Sequence, residues 1–217
     1  DHAGDAESLL RASDEALYRA KEQGGGVVVT FEPEMQRQAQ RYLDMSKLLR
    51  QALERGELEL HYQPIVDLGN GRLLAVEALL RWHSEGEEIP PDQFLPVAET
   101  SELIAPLTDW VFKTACRQMA DWQRRKLAVP QIAVNVSASQ FRVEEFCSRV
   151  ENALDEAGLA GDKLVLEITE NLLVDNLIAT RDMLRRLQAG GVRVALDDFG
   201  TGYSSLSYLR ALPVDAI

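Results

Sequence analysis

The sequence predicts an α/β protein with mostly parallel strands. From Glu57 onward, short aliphatic runs alternate with longer stretches of helical spacing, as strands and helices alternate in such folds. Several helical stretches end at glycine, for example at Gly158 and at Gly190-Gly191. With 217 residues, 46% of them hydrophobic, the chain is long enough for one large domain or for a domain with an appendage.

Two helices precede this alternating region. Residues 5–23 have helical spacing and are followed by glycines and a short predicted strand, Val27–Phe31. A helix and one strand cannot bury a core, so we interpret residues 1–33 as the C-terminal remnant of another domain. The second helix, residues 34–55, has an apolar stripe. It either packs on the domain that follows or links two modules as a signalling or dimerising helix.

Residues 56–217 form the predicted main domain. Its first two strands, Leu58–Leu68 and Leu73–Ala78, are joined by a hairpin-type turn at Gly69-Asn70-Gly71. The later elements are a helix over Thr108–Arg125, a strand over Gln131–Val136, a helix over Glu144–Ala157, a strand over Lys163–Thr169, a helix over Asn176–Ala189 and a strand over Val192–Asp197. Pro213 opens what would be the next strand.

The strand that begins at Val192 stops at two adjacent carboxylates, Asp197 and Asp198. Like charges side by side repel each other, and a strand end that keeps both usually binds a cation. Asp-Asp before Gly is also ordinary turn and helix-capping chemistry, so this stretch alone leaves both interpretations open. Asp198-Phe199-Gly200 spells the kinase magnesium motif as well, but the sequence has no His-Arg-Asp stretch and no GxGxxG loop before it, which excludes a kinase.

Residue parity places one oxygen-bearing side chain near the end of each of four strands. Side chains alternate between the two faces of a strand, and in each strand this residue lies opposite the larger aliphatic set. The four residues are Glu77, Asn135, Glu167 and Asp197. In a parallel barrel the aliphatic face packs on outer helices, so these four side chains would converge inside one mouth of the barrel.

Each of these residues alone has an ordinary explanation, because charged strand ends are usually solvated. Together with Asp198 they form an all-oxygen set, which suits Mg²⁺ or Mn²⁺ rather than zinc. The three histidines offer no alternative ligand set: His2 is terminal, and His61 and His83 are interpreted as isolated structural residues.

Charge and cysteine content exclude several classes of function. A net charge of −12 argues against binding to DNA, RNA or an anionic membrane, which requires a basic face. A phosphate-ester substrate would therefore need cations to offset repulsion. Cys116 and Cys147 lack metal-ligand spacing and are interpreted as reduced thiols. With no signal peptide and no membrane-spanning run, we expect a cytoplasmic protein whose longer parent can still be anchored to the inner membrane.

The motifs resemble those of the EAL domain family. Glu77-Ala78-Leu79 with Leu80-Arg81-Trp82 matches its signature, Gln63-Pro64 precedes it, and Asn135-Val136-Ser137, Glu167-Ile168-Thr169-Glu170 and Asp197-Asp198-Phe199-Gly200 follow in the family's order. The resemblance implies a TIM-like (β/α)8 barrel with a reversed first strand, in agreement with the hairpin at Gly69–Gly71. It also implies hydrolysis of cyclic di-GMP to linear pGpG, aided by two Mg²⁺ or Mn²⁺ ions.

The same resemblance implies roles for individual residues. The ligands of one metal ion would be Glu77, Asn135, Glu167 and Asp197, and Asp197 and Asp198 would reach the second ion. Glu170 would steady the loop after the Asp-Asp turn. Gln63, Leu79 and Arg81 would contact the substrate, with Arg81 and Gln63 meeting its phosphate and guanine.

The surroundings of the barrel are inferred in the same way. The run Ala16-Leu17-Tyr18-Arg19-Ala20-Lys21 resembles the C-terminal end of GGDEF domains, without their signature loop, so no cyclase activity is assigned to it. We expect upstream GGDEF and sensor domains in the parent protein, and a homodimer. The family's later motifs are not in this chain, and a TIM barrel needs about 250 residues. We therefore expect the barrel to be incomplete here and this chain alone to be inactive.

The alternative function is a non-catalytic cyclic di-GMP receptor that signals through the helix at 34–55. Degenerate receptors of this type lose acidic ligands, whereas this sequence keeps Glu77, Glu167, Asp197 and Asp198. An unpaired carboxylate cluster is costly to retain without a metal, which favours the enzyme.

Overall fold

The computed structural model describes residues 25–141, 145–169, 177–197 and 212–216, together with isolated positions between 6 and 21. The chain divides into two compact units, Asp1–Leu49 and Arg50–Ile217. The long helix α1 (Pro33–Arg55) confirms the helix predicted over 34–55. It ends where predicted, because Gly56 adopts φ +70° and the Glu57 amide donates to the Ala52 carbonyl at 3.1 Å.

In the first unit, the described positions before residue 22 are helical, and the Gly25 amide donates to the Ala20 carbonyl at 2.9 Å. The strand predicted over Val27–Phe31 is wrong, because residues 27–32 have no regular structure. A strand needs a hydrogen-bonded partner, whereas Val28 is 98% exposed and the described part of this unit contains no strand.

The second unit is built on one six-stranded sheet. Its strands are β1 (Leu58–Val66), β2 (Leu73–Ser84), β3 (Glu87–Ile89), β4 (Ile132–Val136), β5 (Leu164–Thr169) and β6 (Arg193–Asp197). The order across the sheet is β1-β2-β4-β5-β6, and β3 pairs with β2. The reversed first strand is confirmed, since β1 runs antiparallel to β2 while β2, β4, β5 and β6 are mutually parallel.

The turn between β1 and β2 confirms the predicted hairpin. Gly71, at φ +69°, donates its amide to the Asp67 carbonyl at 2.8 Å, and the Asp67 side chain accepts from the Gly69 amide at 2.8 Å. At the other end of the sheet, Ala216 bridges Ala195 in parallel, which agrees with a new strand after Pro213.

Five helices follow α1 in the described residues: α2 (Pro91–Glu99), α3 (Ile104–Arg124), α4 (Ala138–Phe141), α5 (Phe146–Ala157) and α6 (Leu177–Ala189). The predictions missed β3, α2 and α4, and ended β2 six residues early. A tight turn at Glu85 and Gly86, both at positive φ, folds β3 back onto β2. No helix in the described residues is long and apolar enough to cross a membrane.

One face of the sheet and the helices packed against it form the core. The aliphatic residues of β4, β5 and β6 are buried there with side chains of α3, α5 and α6. Ile132, Leu164, Leu166, Ile168 and Val194 are all fully buried. Cys116 and Cys147 are buried free thiols in the same core, and burial raises the pKa of Cys116 to about 12. We call this side of the sheet the outer face.

Candidate functional site

The opposite side of the sheet, the inner face, carries those side chains singled out from the sequence that belong to the described strands. Cross-strand partners point to the same side, and Gln63 on β1 lies directly opposite Glu77 on β2. Asn135 on β4 is the register partner of Glu167 on β5. Asp197 belongs to the same face because it follows Ala195, the partner of Glu167, by two residues.

The register therefore brings the four predicted metal ligands to one face of neighbouring parallel strands. Asn135, Glu167 and Asp197 lie near the C-terminal ends of β4, β5 and β6, whereas Glu77 lies in the middle of the longer strand β2. The closest contact is a hydrogen bond of 2.6 Å from Asn135 Nδ2 to Glu77 Oε1. It leaves the Asn135 Oδ1 atom as a possible ligand, because an amide oxygen accepts while its nitrogen donates.

The inner face carries several carboxylates, which give it a concentrated negative charge. The pKa of Glu167 is raised to about 7, first by burial and then by the charges of Glu77 and Asp197. Each additional carboxylate thus makes ionisation of Glu167 more difficult. A cation at the same place would reverse this shift, because it would stabilise the ionised form of all three.

No three His, Cys, Asp or Glu side chains of the described residues lie close enough together to hold one metal ion. The fit to a divalent ion depends instead on the donor type and on the charge. All four side chains offer oxygen, the element that Mg²⁺ and Mn²⁺ prefer. Two of the predicted site residues, Glu170 and Asp198, lie outside the described residues.

The predicted substrate contacts are on the same inner face. Gln63 is exposed, and Leu79 and Arg81 are half-buried and follow Glu77 at intervals of two residues along β2. Leu79, Arg81 and Asn135 also line a cavity of about 430 Å³, which lies beside residues 78–81 of β2 and the C-terminal end of β4.

Sequence reasoning missed several other residues of this cavity. Its wall includes Glu99 of α2, Gln140 of α4, Ser137 and Thr169. Gln140 Oε1 accepts from the Ser137 amide at 2.7 Å, and its Nε2 donates to Thr108 Oγ1 at 3.1 Å, which fixes the chain after β4. The spacing of Ser137 and Gln140, three residues apart directly after a strand, is the signal that could have identified this turn.

A comparison with known protein families finds one family that matches this sequence. The EAL domain family matches residues 46–217, which is most of the chain.

The chain belongs to the EAL domain family.

Curated relatives of this EAL domain include enzymes of cyclic di-GMP metabolism. It is 45% identical over 210 residues to the bifunctional diguanylate cyclase/cyclic di-GMP phosphodiesterase MucR of Pseudomonas aeruginosa, covering 96% of this chain and 31% of MucR. It is 38% identical over 218 residues to the cyclic di-GMP phosphodiesterase PdeR of Escherichia coli, covering 100% of this chain and 33% of PdeR. The chain thus spans about a third of the length of these relatives.

Solved structures of EAL domains have the same fold. A complex of the MucR phosphodiesterase with cyclic di-GMP has 47% sequence identity and a TM-score of 0.75, covering 79% of this chain and 70% of that chain. The EAL enzyme Bd1971 in its form bound to cAMP and cyclic di-GMP has 29% identity and a TM-score of 0.75, covering 98% of this chain and 56% of that chain. EAL domains have the TIM-barrel fold, so the predicted fold class is confirmed.

Proposed function

We propose that the protein containing this EAL domain is a cyclic di-GMP phosphodiesterase that hydrolyses cyclic di-GMP to linear pGpG with two Mg²⁺ or Mn²⁺ ions. The names of its relatives support this reaction, and the MucR and Bd1971 complexes support cyclic di-GMP as the ligand. Metal dependence is a general property of EAL phosphodiesterases.

The observation that carries the proposal is the common inner face of Glu77, Glu167 and Asp197. Burial and then the charges of Glu77 and Asp197 raise the pKa of Glu167, so ionisation of all three carboxylates is unfavourable unless a cation offsets it. A site with this charge would also repel a dianionic substrate. We infer that the carboxylates bind divalent cations, and that these cations attract the phosphates of the substrate.

In this proposal Glu77, Asn135, Glu167 and Asp197 would be the ligands of one ion, and Asp197 and Asp198 would reach the other. Divalent ions held by these residues would supply a water of lowered pKa and positive charge to offset that of the phosphate. Asn135 orients Glu77 through their hydrogen bond of 2.6 Å, so that the carboxylate is held in one direction.

The remaining residues bind and orient the substrate. Arg81 contacts a phosphate, since a guanidinium presents several donors to phosphate oxygens. Gln63 contacts guanine, Leu79 packs against the dinucleotide, and Glu170 steadies the loop after Asp198. No DNA or RNA polymer is expected as a partner of so acidic a protein.

We also propose the wider context of the domain. The helix Pro33–Arg55 would link it to an upstream GGDEF domain, of which residues 1–33 are the remnant, and would support a homodimer. The double function in the name of MucR supports such a neighbour, since that match covers 96% of this chain. The expected location is the cytoplasm, with an upstream sensor that can be anchored to the inner membrane.

The test is hydrolysis of cyclic di-GMP by the full-length protein with Mg²⁺ or Mn²⁺, followed as the appearance of pGpG. Glu77→Gln keeps the shape of the side chain but removes its charge, and we expect turnover to fall at least about a hundredfold because a metal ligand is lost. The matched control is Glu87→Gln, which removes a charge from an exposed residue of β3 and should leave turnover unchanged.

Two results would contradict the proposal. Unchanged turnover in Glu77→Gln would remove Glu77 from the site. Binding of cyclic di-GMP by the wild-type protein without any hydrolysis would favour the alternative, a non-catalytic receptor.

A further inference from the structure

Arg81 is held by two neighbouring groups on the β2–β3 hairpin. Its Nη1 atom donates to the Leu80 carbonyl at 2.9 Å, and its Nε atom lies 3.4 Å from Glu88 Oε1 on β3. The Arg81 side chain is 25% exposed and that of Glu88 is 51% exposed. The ion pair therefore lies at the rim of the inner face, within reach of solvent and of a ligand.

A second carboxylate also faces Arg81, but it has other partners. Glu59 of β1 is the register partner of Arg81. Its Oε1 atom is shared by two histidines, at 2.8 Å from His61 Nε2 and 3.2 Å from His83 Nδ1. These histidines were expected to be isolated, and that prediction was wrong, because their rings lie 6.4 Å apart. Pairing of β2 with β1 on one side and with β3 on the other thus brings Glu59 to the histidines and Glu88 to the arginine.

The two contacts decide which part of the guanidinium remains for a ligand. A guanidinium is planar, so fixing two of its nitrogen atoms fixes the direction of the third. With Nε facing Glu88 and Nη1 donating to Leu80, the contacts in the described residues leave Nη2 to meet a phosphate oxygen.

We propose that Glu88 is a positioning residue, which holds the Arg81 guanidinium so that its Nη2 edge is presented to a phosphate of cyclic di-GMP. This inference depends on the proposed function, in which Arg81 binds that phosphate. Glu88 itself does not touch the substrate. Because Glu88 already restricts the Arg81 side chain, less conformational entropy is lost when the substrate binds.

The negative charge of Glu88, taken by itself, would weaken substrate binding. A carboxylate beside Arg81 repels the phosphate, so that simple removal of its charge should tighten substrate binding. Glu87 separates the two effects, because it is the adjacent acidic residue of β3 and pairs with Ser84 in register, while Glu88 pairs with His83. Neighbouring residues of a strand point to opposite faces, so Glu87 faces away from Arg81.

The experiment compares KM and kcat of the full-length protein for cyclic di-GMP in wild type, Glu88→Ala, Glu88→Gln and Glu87→Ala. We expect Glu88→Ala to raise KM about threefold with little change in kcat, a magnitude typical of losing a partly exposed ion pair. Glu88→Gln should recover part of the loss, because a glutamine oxygen at the same place can still attract the Nε–H group. Glu87→Ala should leave KM unchanged or slightly lower.

The Arg81→Ala background shows whether Glu88 acts through the arginine. There, Glu88→Ala should cause no further rise in KM, since the group that it positions is gone. An equal rise in both backgrounds, or a KM for Glu88→Ala no higher than that for Glu87→Ala, would overturn the inference.

Failure of the proposed function has a different signature. If the wild-type protein binds cyclic di-GMP without hydrolysing it, the same variants are compared by their Kd from calorimetry, with the same expected order. If the wild-type protein neither hydrolyses nor binds cyclic di-GMP, the proposed function and the role of Glu88 both fail.

Discussion

The two faces of the same sheet are built on opposite principles. On the outer face, Leu166 and Ile168 of β5 are fully buried among the side chains of the helices. On the inner face, Glu167 of the same strand is partly buried and is repelled by the charges of Glu77 and Asp197. The outer face stabilises the fold by removing apolar surface from water, whereas the inner face collects like charges at a cost to stability. Adjacent residues of one strand therefore differ in role: those on the outer face stabilise the fold, and Glu167 on the inner face belongs to the candidate site.

The largest expected effect comes from the outer face. Leu166→Ala should lower the free energy of unfolding by about 2–5 kcal/mol, because it removes a fully buried side chain and leaves a cavity. Denaturant titration followed by circular dichroism measures this loss. Val165→Ala, at the neighbouring half-buried position on the inner side of β5, is the matched control and should cost clearly less. Equal losses would show that the two faces do not differ in their contribution to stability.

Glu167→Gln should increase the stability of the folded protein, by less than Leu166→Ala decreases it. The folded-state pKa of Glu167 is raised from 4.5 to about 7, so the folded protein holds a proton that the unfolded chain loses above pH 4.5. Stability is therefore lost as the pH rises from 4.5 to about 7, and the penalty is fully present above pH 7. Glutamine carries no such penalty.

Thermal unfolding without divalent ions tests this sign. At pH 8 the Glu167→Gln variant should melt a few degrees above wild type, and near pH 4.5 the two should melt together. A variant that is less stable than wild type at pH 8 would mean that the Glu167 carboxylate is stabilised by its neighbours, which contradicts its repulsion by Glu77 and Asp197.

The smallest effect on stability should come from Asn135→Ala. This substitution removes the hydrogen bond to Glu77, but Asn135 is exposed, so the loss in unfolding free energy should be about 0.5–1 kcal/mol. The same variant should nevertheless lose most of its Mg²⁺- or Mn²⁺-dependent turnover, because a ligand and the orientation of Glu77 are lost together. A large loss of stability with normal turnover would make Asn135 structural.

Local patterns were sufficient to predict much of this molecule. Alternation within β4, β5 and β6 correctly separated the aliphatic residues from Asn135, Glu167 and Asp197, because side-chain direction in a strand depends only on parity. The glycine turn at Gly69–Gly71 correctly indicated the hairpin, since its geometry depends on a few adjacent residues.

Features that depend on distant partners could not be predicted in this way. The three-residue strand β3 exists because β2 offers it hydrogen bonds, and the predicted strand at Val27–Phe31 is absent because no such partner is present in the described part of its unit. The sharing of Glu59 by His61 and His83, and the contact of Arg81 with Glu88, likewise arise from pairing between strands. The assignment of residues 1–33 to a GGDEF remnant and the homodimer stay predictions.

The central claim is that the inner-face carboxylates bind divalent cations, and proton release on Mn²⁺ binding tests it most directly. Calorimetric titration of Mn²⁺ into the full-length protein at pH 7, repeated in two buffers of different ionisation enthalpy, measures the number of protons released. Because the pKa of Glu167 is raised to about 7, we predict that Mn²⁺ binding releases a fraction of a proton per protein in wild type and clearly less in Glu167→Gln. Binding heats that are independent of the buffer, or equal proton release in both proteins, would contradict it.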